Sequence, residues 1–280
     1  MKRAFFDTPD GQIHYCIDGT GQPPLILLHG TPRSSFQYNK MMPILAQKRR
    51  IIAMDTIGYG DSDKPPESKM HTIEDYAGTV VMLLDSLKIK KAVIVGDHTG
   101  SKIAIEVGAA YPERADKLVL MGPYFWEGEE WWTQHGLSLA DLVKEIEVKE
   151  DGSHLVALWG SHLLDVWPQK DLNKELAGLN LKYRQRLLLD MLKAEGMSHR
   201  GHFASKNYVQ EKRLPLIKCP TLVIWGSEDI LLHKQIGFHR RNLAESIPKH
   251  KVVEIQGAAM CMTLQTPEEL SRAILEFVES

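Results

Sequence analysis

Short unbroken apolar runs recur along the chain: PLILLHG, RIIAMD, KAVIVG, DKLVLMG, TLVIWG and KVVEIQG, each closing on Gly or Asp. Such runs lack the alternation of a half-buried strand and suit strands covered on both faces of a parallel sheet. Ahead of them, RAFFDT and QIHYCID flank the turn signal PDG, which predicts an opening hairpin. Periodic or mixed segments separate the runs, so strand and helix alternate. The pattern predicts an α/β protein with a mostly parallel, doubly wound sheet. Its site belongs in the loops at the carboxyl ends of the strands.

Between Pro123 and Pro215 the short β runs vanish, and DLNKELAGLNLKYRQRLLLDMLKAEG has the spacing of an amphipathic helix. We therefore expect a helical cap over 124–213, inserted between core segments 1–123 and 214–280. Trp126, Trp131, Trp132, Trp159 and Trp167 fall in its first half. There they either line an apolar cavity above the sheet or pack helix on helix.

Length and charge narrow the function classes. A chain of 280 residues, 43% hydrophobic, suits one large core with an insertion. With 34 basic and 36 acidic residues the net charge is −2, which offers no long-range attraction to nucleic acid. The amino-terminal MKRAFFDTPDGQIHY meets Asp and Pro-Asp-Gly before any signal-like apolar region, and no run approaches a membrane span. Cys16, Cys219 and Cys261 form no disulfide framework or CxxC pair. A cytoplasmic protein with a small-molecule partner, no cofactor and no membrane or nucleic-acid role is expected; its oligomeric state is left open.

The pentapeptide GDHTG, residues 96–100, follows the apolar run KAVIV and precedes a helix-forming segment. Together with LLHGTP, MDTIGYGDSDKP, CPTLVIWGSEDI and TPEELSRAILEFV, in that order, it makes the chain resemble the α/β-hydrolase superfamily. The chain resembles especially the capped branch that includes haloalkane dehalogenases, epoxide hydrolases and related esterases. The resemblance covers nearly everything outside the insertion and implies the α/β-hydrolase fold. It makes Gly96, Asp97 and Gly100 parts of a nucleophile elbow, with His98 at the tip. Asp229, in WGSED, matches the triad acid, and the backbone N–H groups of Thr31 and Thr99 match the oxyanion donors.

The match then breaks. His98 stands where Ser, Cys or Asp would attack, and Met260, in GAAM, stands where the triad histidine belongs. No histidine follows His250, so a Ser-His-Asp triad is absent. Dehalogenation is disfavoured, because Thr31 and Thr99 replace the usual halide-holding Asn and Trp. Asp97 lies one place before the tip, so its side chain is expected in a hydrogen-bond network behind the elbow rather than as nucleophile.

The amino-terminal dipole of the helix following His98 favours a neutral imidazole, which near pH 7 is a competent general base. A nearby Asp229 opposes that effect by raising the imidazole pKa. The long ring is expected to reach Asp229 and form a dyad facing the oxyanion donors. Two functions remain. One is a hydrolase or lyase acting on a small, largely apolar carbonyl compound, with His98 as general base oriented by Asp229. The alternative is a non-catalytic module that binds a small molecule or protein in the old cleft.

Weaker substrate-binding candidates are His29, Trp126, Trp159, His202 and Met260. His29 is also suited to a structural place in its loop. His199 and His202 form a loose H-x-x-H pair without an acidic partner, which argues against a metal site. Cys261 has no activating neighbour in sequence, so an idle packed thiol is expected.

Overall fold

The computed structural model describes residues 1–66, 68–124, 147–160, 166, 173–194, 197–229 and 243–280. Eight strands form one sheet: β1 (Lys2–Thr8), β2 (Gly11–Asp18), β3 (Leu25–Leu28), β4 (Ile51–Met54), β5 (Ala92–Asp97), β6 (Ala115–Met121), β7 (Thr221–Gly226) and β8 (His250–Ile255). Their order is β1-β2-β4-β3-β5-β6-β7-β8. The β1–β2 and β2–β4 pairs are antiparallel, and β3 onward is parallel. This is the predicted hairpin joined to a parallel sheet.

Burial explains why the apolar runs became strands. Every residue of β3, β4, β5 and β7 is buried, as expected where helices cover both faces. The described helices are α1 (Met42–Leu45), α2 (Ile73–Ser86), α3 (Thr99–Ala110), α4 (Ser153–Trp159), α5 (Lys174–Lys193), α6 (Ser198–Asn207), α7 (Met262–Gln265) and α8 (Pro267–Glu279). Two apolar clusters form the core, one on each side of the sheet: Ile26, Ile52 and Ile94 belong to one, Leu27, Ala53 and Val95 to the other. The alternation of these neighbours is the period-2 geometry of a strand with two covered faces.

Helix starts follow local chemistry. Thr72 and Asp75 form a reciprocal capping box at α2, and the Asn173 side chain caps α5 by accepting from the N–H of Leu176. Along α8 the buried Leu270, Ile274, Phe277 and Val278 keep helical spacing, matching the sequence pattern. In α5 the buried positions are Asn180, Tyr183, Leu187 and Asp190. Two are polar, so that face is held by directed bonds as well as by apolar contact.

Helices α4, α5 and α6 lie between β6 and β7 in the chain, and α5 and α6 meet the loops at the carboxyl edge of the sheet. The Tyr59 hydroxyl donates to the carbonyl of Met197 and accepts from the N–H of Gly201, while Ser34 Oγ donates to Asp190 at 2.8 Å. Tryptophans 126, 131, 132 and 167 lie outside the described residues. Among the described residues no helix is long and apolar enough to cross a membrane.

Candidate active site

The turn from β5 into α3 places His98 at φ +48° and ψ −105°. A left-handed φ is costly for a residue with a Cβ, so the turn must be held by its surroundings. The glycines hold it by allowing close packing. A Cβ on Gly96 would lie 2.1 Å from the carbonyl oxygen of Gly100, and one on Gly100 would lie 2.1 Å from that of Leu28. Ser101 adds a tie, its hydroxyl lying 2.8 Å from the carbonyl oxygens of both Gly96 and Met121.

The His98 ring lies over Gly122, where a Cβ would stand 2.8 Å from Cε1. Glycine at 122 therefore makes the room that a histidine on the elbow requires. From there Nε2 sits 3.1 Å from Asp229 Oδ2, and Nδ1 sits 2.9 Å from Asp97 Oδ2. All three side chains are buried. Tyr124 covers the ring from the side, with centroids 6.0 Å apart.

The structure thus brings His98 and Asp229 together and adds a second carboxylate. Asp97 does join a network behind the elbow, since its Oδ2 accepts from Gln37 Nε2 at 2.7 Å, but it also turns back to His98. That contact works against the expected neutral base. Burial opposes a charge on the imidazole, yet Asp97 and Asp229 outweigh it and raise the His98 pKa well above the usual histidine value. A ring protonated in this way donates from both nitrogens and has no lone pair with which to act as a base.

The N–H groups of Thr31 and Thr99 have no acceptor among the described residues. Thr99 opens α3, where an N–H has no partner within its helix. Thr31 follows Gly30, whose Cα faces the Asp97 carboxylate closely enough that a Cβ would be 3.3 Å from Oδ2. Thr99 thus adjoins His98 in the chain, and the residue before Thr31 packs against Asp97 and His98.

The remaining candidates scatter. His29 is held in its loop: Nε2 accepts from the N–H of Thr56 at 3.0 Å, so Nδ1 carries the hydrogen donated to the Gly30 carbonyl. Its ring is thereby committed to structure rather than to substrate. Trp159 is about a third exposed on α4 with the Arg184 guanidinium over its ring, and is not drawn to the elbow by any such contact. His202 lies on α6 and Met260 in the turn before α7, each half-buried; Trp126 lies outside the described residues. Cys261 is buried, which pushes its thiol pKa up, and Arg33 Nη2 donates to its Sγ at 3.6 Å.

Sequence reasoning missed Gln37, Gly122, Tyr124 and Lys102. Lys102 lies one turn along α3 from His98, its Nζ 3.0 Å from the Ser205 carbonyl and 4.8 Å from the Tyr124 ring centroid. Burial lowers its pKa to about 7 despite an opposing pull from Glu211. A lysine four residues after the elbow tip was a legible signal, because the helical period returns it to the same side.

Among the described residues one group, His14, Asp55 and Asp61, brings ligand atoms within 4.8 Å of one another. Arg3 and Lys193 both pair with Asp61, and Asp55 already accepts from His14, Ser35 and Asp61, so these donors are spent on protein contacts.

A parallel sheet, a strained strand-to-helix tip with close-packed glycines, and an acid after β7 define an α/β-hydrolase architecture. The chain belongs to the alpha/beta hydrolase fold family, which matches residues 23–263. It is similar to haloalkane dehalogenase 2 of Mycobacterium tuberculosis, 24% identical over 288 residues, covering 99% of this chain and 94% of that protein. A stretch of 123 residues, 43% of this chain and 38% of the relative, is 34% identical to the cis-3-alkyl-4-alkyloxetan-2-one decarboxylase of Shewanella oneidensis. The enol-lactonase of Burkholderia xenovorans LB400 superposes with a TM-score of 0.80 at 21% identity, covering 99% and 100% of the two chains. These relatives place the chain in a family of enzymes acting on small molecules.

Proposed function

We propose that this protein is an α/β-hydrolase-fold enzyme that moves protons on a small, largely apolar carbonyl compound without forming an acyl-enzyme. The observation that carries the proposal is the buried chain Asp97–His98–Asp229, with contacts of 2.9 and 3.1 Å, set beside two backbone N–H donors. Two similar proteins bear names that specify cyclic carbonyl compounds, an oxetan-2-one and an enol-lactone, which supports a carbonyl substrate.

The chemistry follows from the charges. A carbonyl oxygen on the N–H groups of Thr31 and Thr99 gains negative charge as a neighbouring C–H or C–C bond is broken or as water adds to the carbonyl carbon. His98, starting as imidazolium, stabilises that charge and gives it a proton. In the same step the carboxylate relieved of that hydrogen accepts the proton lost from carbon, from a β-hydroxyl or from the attacking water, so the site ends with its net charge unchanged. His98 is the acid of the first step, and Asp229 orients the ring. Elimination, retro-aldol cleavage and water addition all fit this pattern.

The test is exchange at carbon. Small ketones, β-hydroxyketones and lactones are incubated with the protein in D2O, and α-deuteration or cleavage is followed by NMR. His98→Asn should abolish any exchange that the wild-type protein catalyses, and a fluorophosphonate should leave the protein's intact mass unchanged. A cleft serine labelled by the probe overturns the mechanism.

A second reading, a non-catalytic binding module, is favoured by one feature: both His98 nitrogens are already taken. Saturable binding of the same compounds without exchange or turnover would select it.

A further inference from the structure

We infer that Gln37 is a positioning residue that couples the oxyanion loop to the place of the proton on His98, acting through Asp97. The inference deepens the proposed function and takes its catalytic meaning from it, although the coupling itself exists without substrate.

Gln37 is buried, and its amide spans two parts of the site. Oε1 accepts from the N–H of Gly30 at 3.1 Å, and Nε2 donates to Asp97 Oδ2 at 2.7 Å. The orientation is not interchangeable. A backbone N–H only donates, so the amide oxygen must face Gly30 and the NH2 must face Asp97. Gly30 directly precedes Thr31, whose N–H is one of the two oxyanion donors.

Asp97 makes this link consequential. Its Oδ2 takes hydrogens from both Gln37 and His98, whereas Oδ1 is buried without a partner. All of its hydrogen bonding therefore passes through one oxygen. A buried carboxylate that loses a donor becomes costlier as an anion and takes a proton more readily. The nearest proton is on His98 Nδ1. Its transfer breaks the N–H bond, forms Asp97 Oδ2–H, and leaves two neutral groups. Gln37 thus keeps that proton on the imidazole, and a shift of the Gly30–Thr31 peptide toward a bound oxyanion would be felt at Asp97 through the same amide.

The other groups facing His98 are compatible with this. Asp229 holds Nε2, Tyr124 lies beside the ring, and Cys261 and Arg33 act on the site from α7 and the oxyanion loop. Among the described residues none of them contacts Nδ1, which faces Asp97 alone.

The experiment uses NMR on the full chain without ligand. In the wild-type protein the Gln37 side-chain amide and the His98 ring nitrogens should titrate with one midpoint. Gln37→Met, which keeps the shape and removes both polar ends, should lower the His98 midpoint by about one pH unit, a tenfold loss of proton affinity. A Gln37 amide indifferent to His98 titration overturns the inference even if the variant fails to fold. So does a folded variant with an unmoved midpoint and only a lower Tm. Loss of exchange activity in every assay would defeat the proposed function and leave this titration result standing.

Discussion

Among the described residues His14, His71 and His98 are buried with an aspartate in contact, and between His98 and His14 the second partner differs. His98 meets a carboxylate at each nitrogen. His14, on β2, has Asp55 Oδ2 2.8 Å from Nδ1, but its Nε2 takes the Nε–H of Arg3 at 3.0 Å. Arg3 can only donate, so its Nε–H on Nε2 requires a lone pair there and leaves the hydrogen of a neutral ring on Nδ1, directed at Asp55. The elbow histidine lies between two carboxylates; the hairpin histidine lies between an arginine and an aspartate. A histidine–aspartate contact therefore does not define a role until the other nitrogen's partner is known.

The largest expected difference between the two regions is in stability. His98→Ala removes the cation lying between two buried carboxylates and should cost about 3–5 kcal/mol at pH 7 in denaturant unfolding. The loss should shrink as pH falls, because protonated carboxyls no longer need the cation. His14→Ala should cost less, about 1–2 kcal/mol, because Asp55 keeps the N–H groups of Ser35 and Asp61. Despite burial, the contacts from His14 and those N–H groups hold the Asp55 pKa down at about 2. Equal losses at the two sites would break the comparison.

A second difference concerns alkaline pH. Lys102, beside the elbow, has a folded pKa of about 7, below the 10.5 of a free lysine. Between those values the unfolded chain binds a proton that the folded chain has released, so the contribution of Lys102 to stability should rise with pH, against the fall contributed by the raised His98 pKa. The slopes of the wild-type protein and Lys102→Met should therefore differ by about 1.4 kcal/mol per pH unit. Parallel profiles of the two proteins from about pH 7.5 to 9.5 would mean that the lysine stays charged.

The smallest effect belongs to Arg3→Ala. Its side chain is largely exposed, so unfolding free energy should change by less than about 1 kcal/mol. The informative change is in His14, which should gain its second proton near neutral pH, seen in the 15N signals of its ring. An unchanged His14 titration would show that Arg3 does not govern it.

The sheet was legible because burial on both faces writes continuous apolar runs, and the hairpin because Pro-Asp-Gly separates two β-rich segments. His98 at the elbow tip could be read from the spacing of Gly96 and Gly100. The ionisation of His98 could not, since it depends on a side-chain rotation of Asp97 that no local pattern encodes. Gln37 was silent for a different reason: 60 residues separate it from Asp97, and only the fold brings them together. Gly122 leaves the plainest trace, a glycine after β6, but its purpose appears only once the ring lies over it.

The central claim, that His98 is an imidazolium bridging two carboxylates, is tested most directly by the 15N chemical shifts of its two ring nitrogens in the ligand-free protein at pH 7.5. The account predicts hydrogen on both Nδ1 and Nε2, with each nitrogen showing a one-bond coupling. A single protonated nitrogen, with the other giving the shift of a free lone pair, would contradict it and restore His98 as a neutral base.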